Sequence, residues 1–148
     1  MNPTILALIA FLTGAMVPLQ LAFNGQLGTA LKSPYLGAFF VLAIGLLATG
    51  KVILARRVPG PEQPQRSAVP WTGWVGGLIA TAYIIAIVFL VPRLGVGSTA
   101  VLIIAGQLVA ALILDQLGAF GAPQVSLSIT RVRGGALVLA GAALVKFT

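Results

Sequence analysis

Acid is the scarcest thing in this sequence. Glu62 and Asp115 are the two carboxylates among 148 residues, against nine lysines and arginines, and the net charge is +7. Cysteine is absent, which excludes disulfides, thiolate metal sites and cysteine nucleophiles. Histidine is absent too, and with it the commonest catalytic base and metal ligand. No nucleophile–base pair, metal cluster or glycine-rich phosphate loop can be assembled from what remains. An enzyme is therefore not expected, and neither is a cofactor or a metal. Charge of either sign is sparse, at 7% of residues, where a soluble domain carries about 25%.

What fills the chain instead is apolar. Hydrophobic residues make up 59% and mean hydropathy is +1.08, which places the chain in a lipid bilayer. In a soluble protein a charge of +7 would suggest nucleic acid. Here the cations sit at the ends of apolar runs and in loops, where membrane proteins use them for anchoring and orientation, so no nucleic-acid partner is expected.

A membrane-crossing helix needs about 20 apolar residues. Five such runs are legible, over residues 4–27, 35–55, 72–91, 96–116 and 132–147. They form one domain, an all-α polytopic membrane protein of five transmembrane helices. The first run has no basic stretch before it and reads as a span that is kept. The runs lack the two-residue alternation of a transmembrane barrel. Residues 56–70 form the one long polar loop, with prolines at 59, 61 and 64. Lys32-Ser33-Pro34 and Pro92-Arg93-Leu94-Gly95 read as tight turns, and residues 118–128 as a longer connection at the interface. Trp71 and Trp74 open the third run, at the headgroup level their rings favour.

Asp115 closes the fourth run at its C-terminal end, where the helix dipole disfavours a negative charge. It needs a partner or a purpose. Arg131 and Arg133 are expected on the same face, as are Arg56 and Arg57, so a structural ion pair and a coupling role both stand. Gln107 lies at mid-span, where an unpaired amide is costly. It can donate and accept, which suits a neutral or zwitterionic solute. A hydrogen bond to another helix is the alternative.

In the first run Thr13, Gln20 and Asn24 fall at helical spacing. Gln20 and Asn24 either line a substrate path or bond a neighbouring helix. Pro18 removes an amide and crowds the carbonyl of Gly14, so a bend is expected there, aiming Gln20 and Asn24 inward. Tyr83 is the polar aromatic deep in a span, and its hydroxyl needs a partner. Gly73 and Gly77 make a GxxxG pair; Gly37, Gly45, Gly50, Gly134, Gly135 and Gly141 also read as packing glycines.

Five spans put the two chain ends on opposite faces. Lys51, Arg56, Arg57, Arg66, Arg131 and Arg133 then lie near the face of the N-terminus, and Lys32, Arg93 and Lys146 near the other. Six cations against three is a small bias, and it leaves room for insertion in both orientations.

Several motifs together resemble the YdcZ-like family of the drug/metabolite transporter superfamily. They are Gly14 with Pro18-Leu19-Gln20 and Asn24-Gly25-Gln26-Leu27, Pro70-Trp71 with Gly76-Gly77, and Pro92-Arg93-Leu94-Gly95. Gly106-Gln107, Asp115 with Leu117-Gly118 and Gly121, and Arg131 with Gly134 complete the set. The resemblance covers nearly the whole chain. It implies a five-helix half-transporter in an inner membrane. Larger members of the superfamily look like two such units fused in inverted orientation. For this chain that implies an antiparallel homodimer of ten helices, or pairing with a related chain, moving a small molecule by alternating access. The related small multidrug resistance proteins carry a buried glutamate in their first helix, and the first run here has no acid. A small accessory subunit without transport of its own is the alternative function.

Overall fold

The computed structural model describes residues 2–62, 69–121 and 123–147. Arg66 and the stretch 63–68 of the polar loop lie outside the described residues. Among the described residues five α-helices follow one another: α1 (Pro3–Ala30), α2 (Pro34–Ala55), α3 (Trp71–Leu94), α4 (Val96–Leu117) and α5 (Ile129–Phe147). A single 3-10 turn, Ala119–Gly121, follows α4. Among the described residues there is no strand.

The first four helices are long and apolar enough to cross a membrane. The fifth is a helix of 19 residues whose first turns hold Arg131 and Arg133 and whose last holds Lys146. Its uncharged stretch, 134–145, is about 18 Å long at 1.5 Å per residue. Arginine and lysine stems extend such a segment by reaching toward the headgroups.

Helix ends explain where the boundaries differ from the apolar runs. α1 continues past residue 27 because its end is closed by the chain itself. Lys32 adopts φ +52°, its amide donates to the Thr29 carbonyl at 3.1 Å, and the Ser33 amide donates to Gly28 at 3.1 Å. That pattern is a Schellman close, with lysine in the left-handed position that glycine usually takes. Ser33 then caps α2, accepting the Leu36 amide on its hydroxyl at 3.3 Å, and Pro34 occupies the first helical position. Arg57, at φ +50°, closes α2 in the same way.

Pro92-Arg93-Leu94 proves to be the last turn of α3 rather than part of a tight turn. Gly95 alone separates α3 from α4, and its φ of +78° is open to glycine at no steric cost. α5 begins earlier than expected, because the Ser128 hydroxyl accepts the Arg131 amide at 3.2 Å.

The chain divides into two compact units. One holds Leu19–Arg93: the second part of α1, then α2 and α3. Its core is a stripe of α1, Leu21-Asn24-Gly25-Gly28, with Gly37 and Ala38 of α2 and Ile87, Val88 and Val91 of α3. A Cβ on Gly25 would come within 2.6 Å of Val91 Cγ1, and one on Gly28 would collide with Val88 Cγ1. The other unit holds α1 up to Pro18 and everything from Leu94 on. There α4 packs on α5, and a Cβ on Gly135 would stand 3.2 Å from Leu112 Cδ1.

Most of the glycines expected to pack make no close approach inside the chain. Gly45, Gly50, Gly77, Gly134 and Gly141 have open space where a Cβ would go, and Gly73 meets only its own neighbour Val69. The glycines that matter are those facing branched valines of α3, a pairing set by tertiary contact and not by spacing within one helix.

Candidate transport site

α1 is unbroken through Gly14 and Pro18. The boundary between the two units falls between Pro18 and Leu19, inside this helix. Pro18 has no amide to offer the Gly14 carbonyl, so one rung of the helix is missing there. Gly14 has nothing within 4 Å of where a Cβ would lie.

Below that rung the two amides of the expected path part company. Asn24 is buried, at 5% exposure, on the stripe of α1 that packs on α3. Gln20 is exposed. The reason is angular. At 100° per residue the stripe through 21, 24, 25 and 28 is centred roughly 90° from residue 20. Thr13 is also exposed, and its hydroxyl donates to the Ile9 carbonyl at 2.8 Å.

The Asn24 amide nitrogen, Nδ2, is fully enclosed and has no hydrogen-bond partner among the described residues. An orphaned buried donor costs about 1–3 kcal/mol, and most buried polar groups are satisfied. The cost falls on a helix whose mean composition is apolar and where leucine or alanine would pack without it. Tyr83, on α3 in the same unit, is half-buried, and its hydroxyl has no hydrogen bond among the described residues. Gln107, on α4 in the other unit, is exposed and likewise without an internal partner among the described residues.

The charged cluster lies at the end of α4. Arg131 Nη2 donates to Asp115 Oδ2 at 2.5 Å, with both side chains about one-third exposed, at 34% and 32%. The pair is stitched through Val125. Its amide donates to the Asp115 carbonyl at 2.9 Å, and its carbonyl accepts from Arg131 Nη1 at 3.3 Å. Arg133 is exposed and makes no ion pair among the described residues.

Two glutamines not singled out from the sequence hold the same loop. Gln116 Oε1 accepts the Leu127 amide at 2.7 Å, and Gln124 Nε2 donates to the Gln116 carbonyl at 3.0 Å. Residues 123–128 are thereby fastened to the end of α4, ready to launch α5. The adjacency of Gln116 to Asp115 was the available clue.

Comparison with known proteins gives one result. The family described as "Putative inner membrane exporter, YdcZ" has a model that matches residues 5–144. No curated protein and no solved structure matches the chain.

Proposed function

Because the chain belongs to the YdcZ family of inner membrane exporters, transporters rather than enzymes, we propose that two copies in opposite orientations move a neutral or zwitterionic small solute by alternating access. The observation that carries this reading is the Asn24 amide, buried and unpartnered in an apolar setting. In a conformation that opens the packing of α1 on α3, a solute carbonyl, hydroxyl or carboxylate oxygen becomes the partner it lacks. Gln20, Tyr83 and Gln107 supply further hydrogen-bonding groups on helix surfaces, where a solute or a second copy meets them. α5 completes the fifth crossing. Gly14 and Pro18 are the hinge of α1, where the missing rung lowers the cost of bending.

The test is N24L, examined in proteoliposomes with solutes first chosen by thermal stabilisation, since a binder raises stability by mass action. The substitution removes the orphaned donor and keeps the volume apolar. Stability in detergent should rise by about 1 kcal/mol, while flux of the selected solute falls about tenfold or more. Full flux with leucine at this position would sink the role of Asn24. A loss of stability would instead assign the amide to helix packing.

Orientation has its own test. Val58 is exposed just beyond α2, and the chain has no native cysteine. V58C labelled with a membrane-impermeant maleimide in whole cells should react in a substantial fraction of copies, with a comparable fraction reacting only after lysis. Labelling confined to one condition would exclude dual insertion.

A further inference from the structure

The unit Leu19–Arg93 carries a second feature that transport does not use, at the end where α1 and α3 finish and α2 begins. A cleft of about 220 Å³ opens there, lined by Thr29, Lys32, Ser33, Pro34 and Arg93 among others. Beside it runs a larger apolar groove of about 460 Å³, lined by Tyr35, Ala82, Ile85, Ala86, Phe89 and Leu90. Pro34 lines both. Arg93 marks the join, because its guanidinium lies 3.5 Å from the centre of the Phe89 ring and Nη1 donates to the Phe89 carbonyl at 2.5 Å.

We propose that this cleft binds the phosphate headgroup of an anionic phospholipid, with an acyl chain laid in the adjoining groove. The charges are complementary. Lys32 and Arg93 bring two cations to the cleft, and neither has a carboxylate partner among the described residues. Asp115 is taken by Arg131, and Glu62 follows the far end of α2, a helix length of about 33 Å away. The Ser33 hydroxyl already accepts the Leu36 amide, so its own proton is available to a phosphate oxygen. The Tyr35 amide, in the first turn of α2, has no intrahelical acceptor. Free phosphate would satisfy the polar half of this surface and leave the apolar half without a purpose. A two-part ligand at headgroup depth satisfies both, as basic pockets between membrane helices do for anionic lipids.

The experiment compares retention of phosphatidylglycerol, phosphatidylcholine of the same chains, and glycerol phosphate by the full chain in neutral detergent, read by native mass spectrometry and thermal stabilisation. Phosphatidylglycerol should be preferred over phosphatidylcholine by about thirtyfold, as two cations at a lipid surface give. K32N/R93Q should bring the two lipids close to parity; asparagine is chosen because it tolerates the left-handed backbone of position 32. K32R/R93K should keep the preference, which separates charge from packing. A86W should lower phosphatidylglycerol retention by filling the groove with no change in charge. R133Q removes a cation outside the cleft and should change nothing. Preference surviving in K32N/R93Q, or lost equally in R133Q, would overturn the site. Glycerol phosphate protecting as well as phosphatidylglycerol, or full retention in A86W, would overturn the lipid assignment.

Discussion

G37A should unfold the α1–α2–α3 unit, and no side-chain trimming on α3 should restore it. A Cβ on Gly37 would stand 2.8 Å from the Gly28 Cα and 3.0 Å from the Gly28 nitrogen. Both are backbone atoms of α1, four residues before Lys32 of the tight turn, so the helices must separate to admit one methyl group. Overpacking that side chains can absorb costs about 1–3 kcal/mol; here only Val88 Cγ1, at 3.0 Å, could give way while the two backbone atoms could not, so about 3 kcal/mol or more is expected. G28A is the control. Its new Cβ meets Val88 Cγ1 in a side chain, and V88A in the same chain should recover most of the loss. Thermal unfolding of the four variants in detergent, followed by circular dichroism, reads the difference. If V88A rescues G37A as fully as it rescues G28A, then α1 and α2 are not in backbone contact at this point.

That contact also shows what the sequence could and could not reveal. The helices were legible because hydropathy over about 20 residues is a strong signal, and the four candidate spans lie where the apolar runs lie. Their ends were less so. Lys32 and Arg57 take the position that glycine would have announced, and only the chain's own hydrogen bonds show that the helices stop there. Glycine in a helix says that close approach is allowed; it does not say against what. Gly25 and Gly28 matter because Val91 and Val88 face them, whereas Gly45 and Gly77 face nothing inside the chain. Spacing placed Gln20 and Asn24 on one side of α1. The centre of the buried stripe, which separates them, is fixed by α2 and α3. Four arginines were open to Asp115 from sequence, and Val125 with the two glutamines decides which one arrives.

The Asp115–Arg131 pair sets two charges at the wrong ends of their helices. Asp115 is in the last turn of α4, where the dipole is negative, and Arg131 is in the first turn of α5, where it is positive. Each is tolerable because the other lies 2.5 Å away. Removing one partner therefore loses the pair and leaves the survivor opposed by its own helix end. At about one-third exposure solvent screens much of this, and D115N or R131Q should cost about 1 kcal/mol each. The exchange D115R/R131D separates the causes. It restores opposite charges across the loop and sets each on the helix end that favours it, so most of the lost stability should return even though the Val125 carbonyl loses its donor. Transport by the same variants then decides the role of the carboxylate. A structural pair predicts flux that follows stability, low in both single variants and recovered in the exchange. Flux abolished in D115N and absent from a well-folded D115R/R131D would mean that the carboxylate at position 115 serves the transport cycle itself, and the ion pair would be its resting state rather than its purpose.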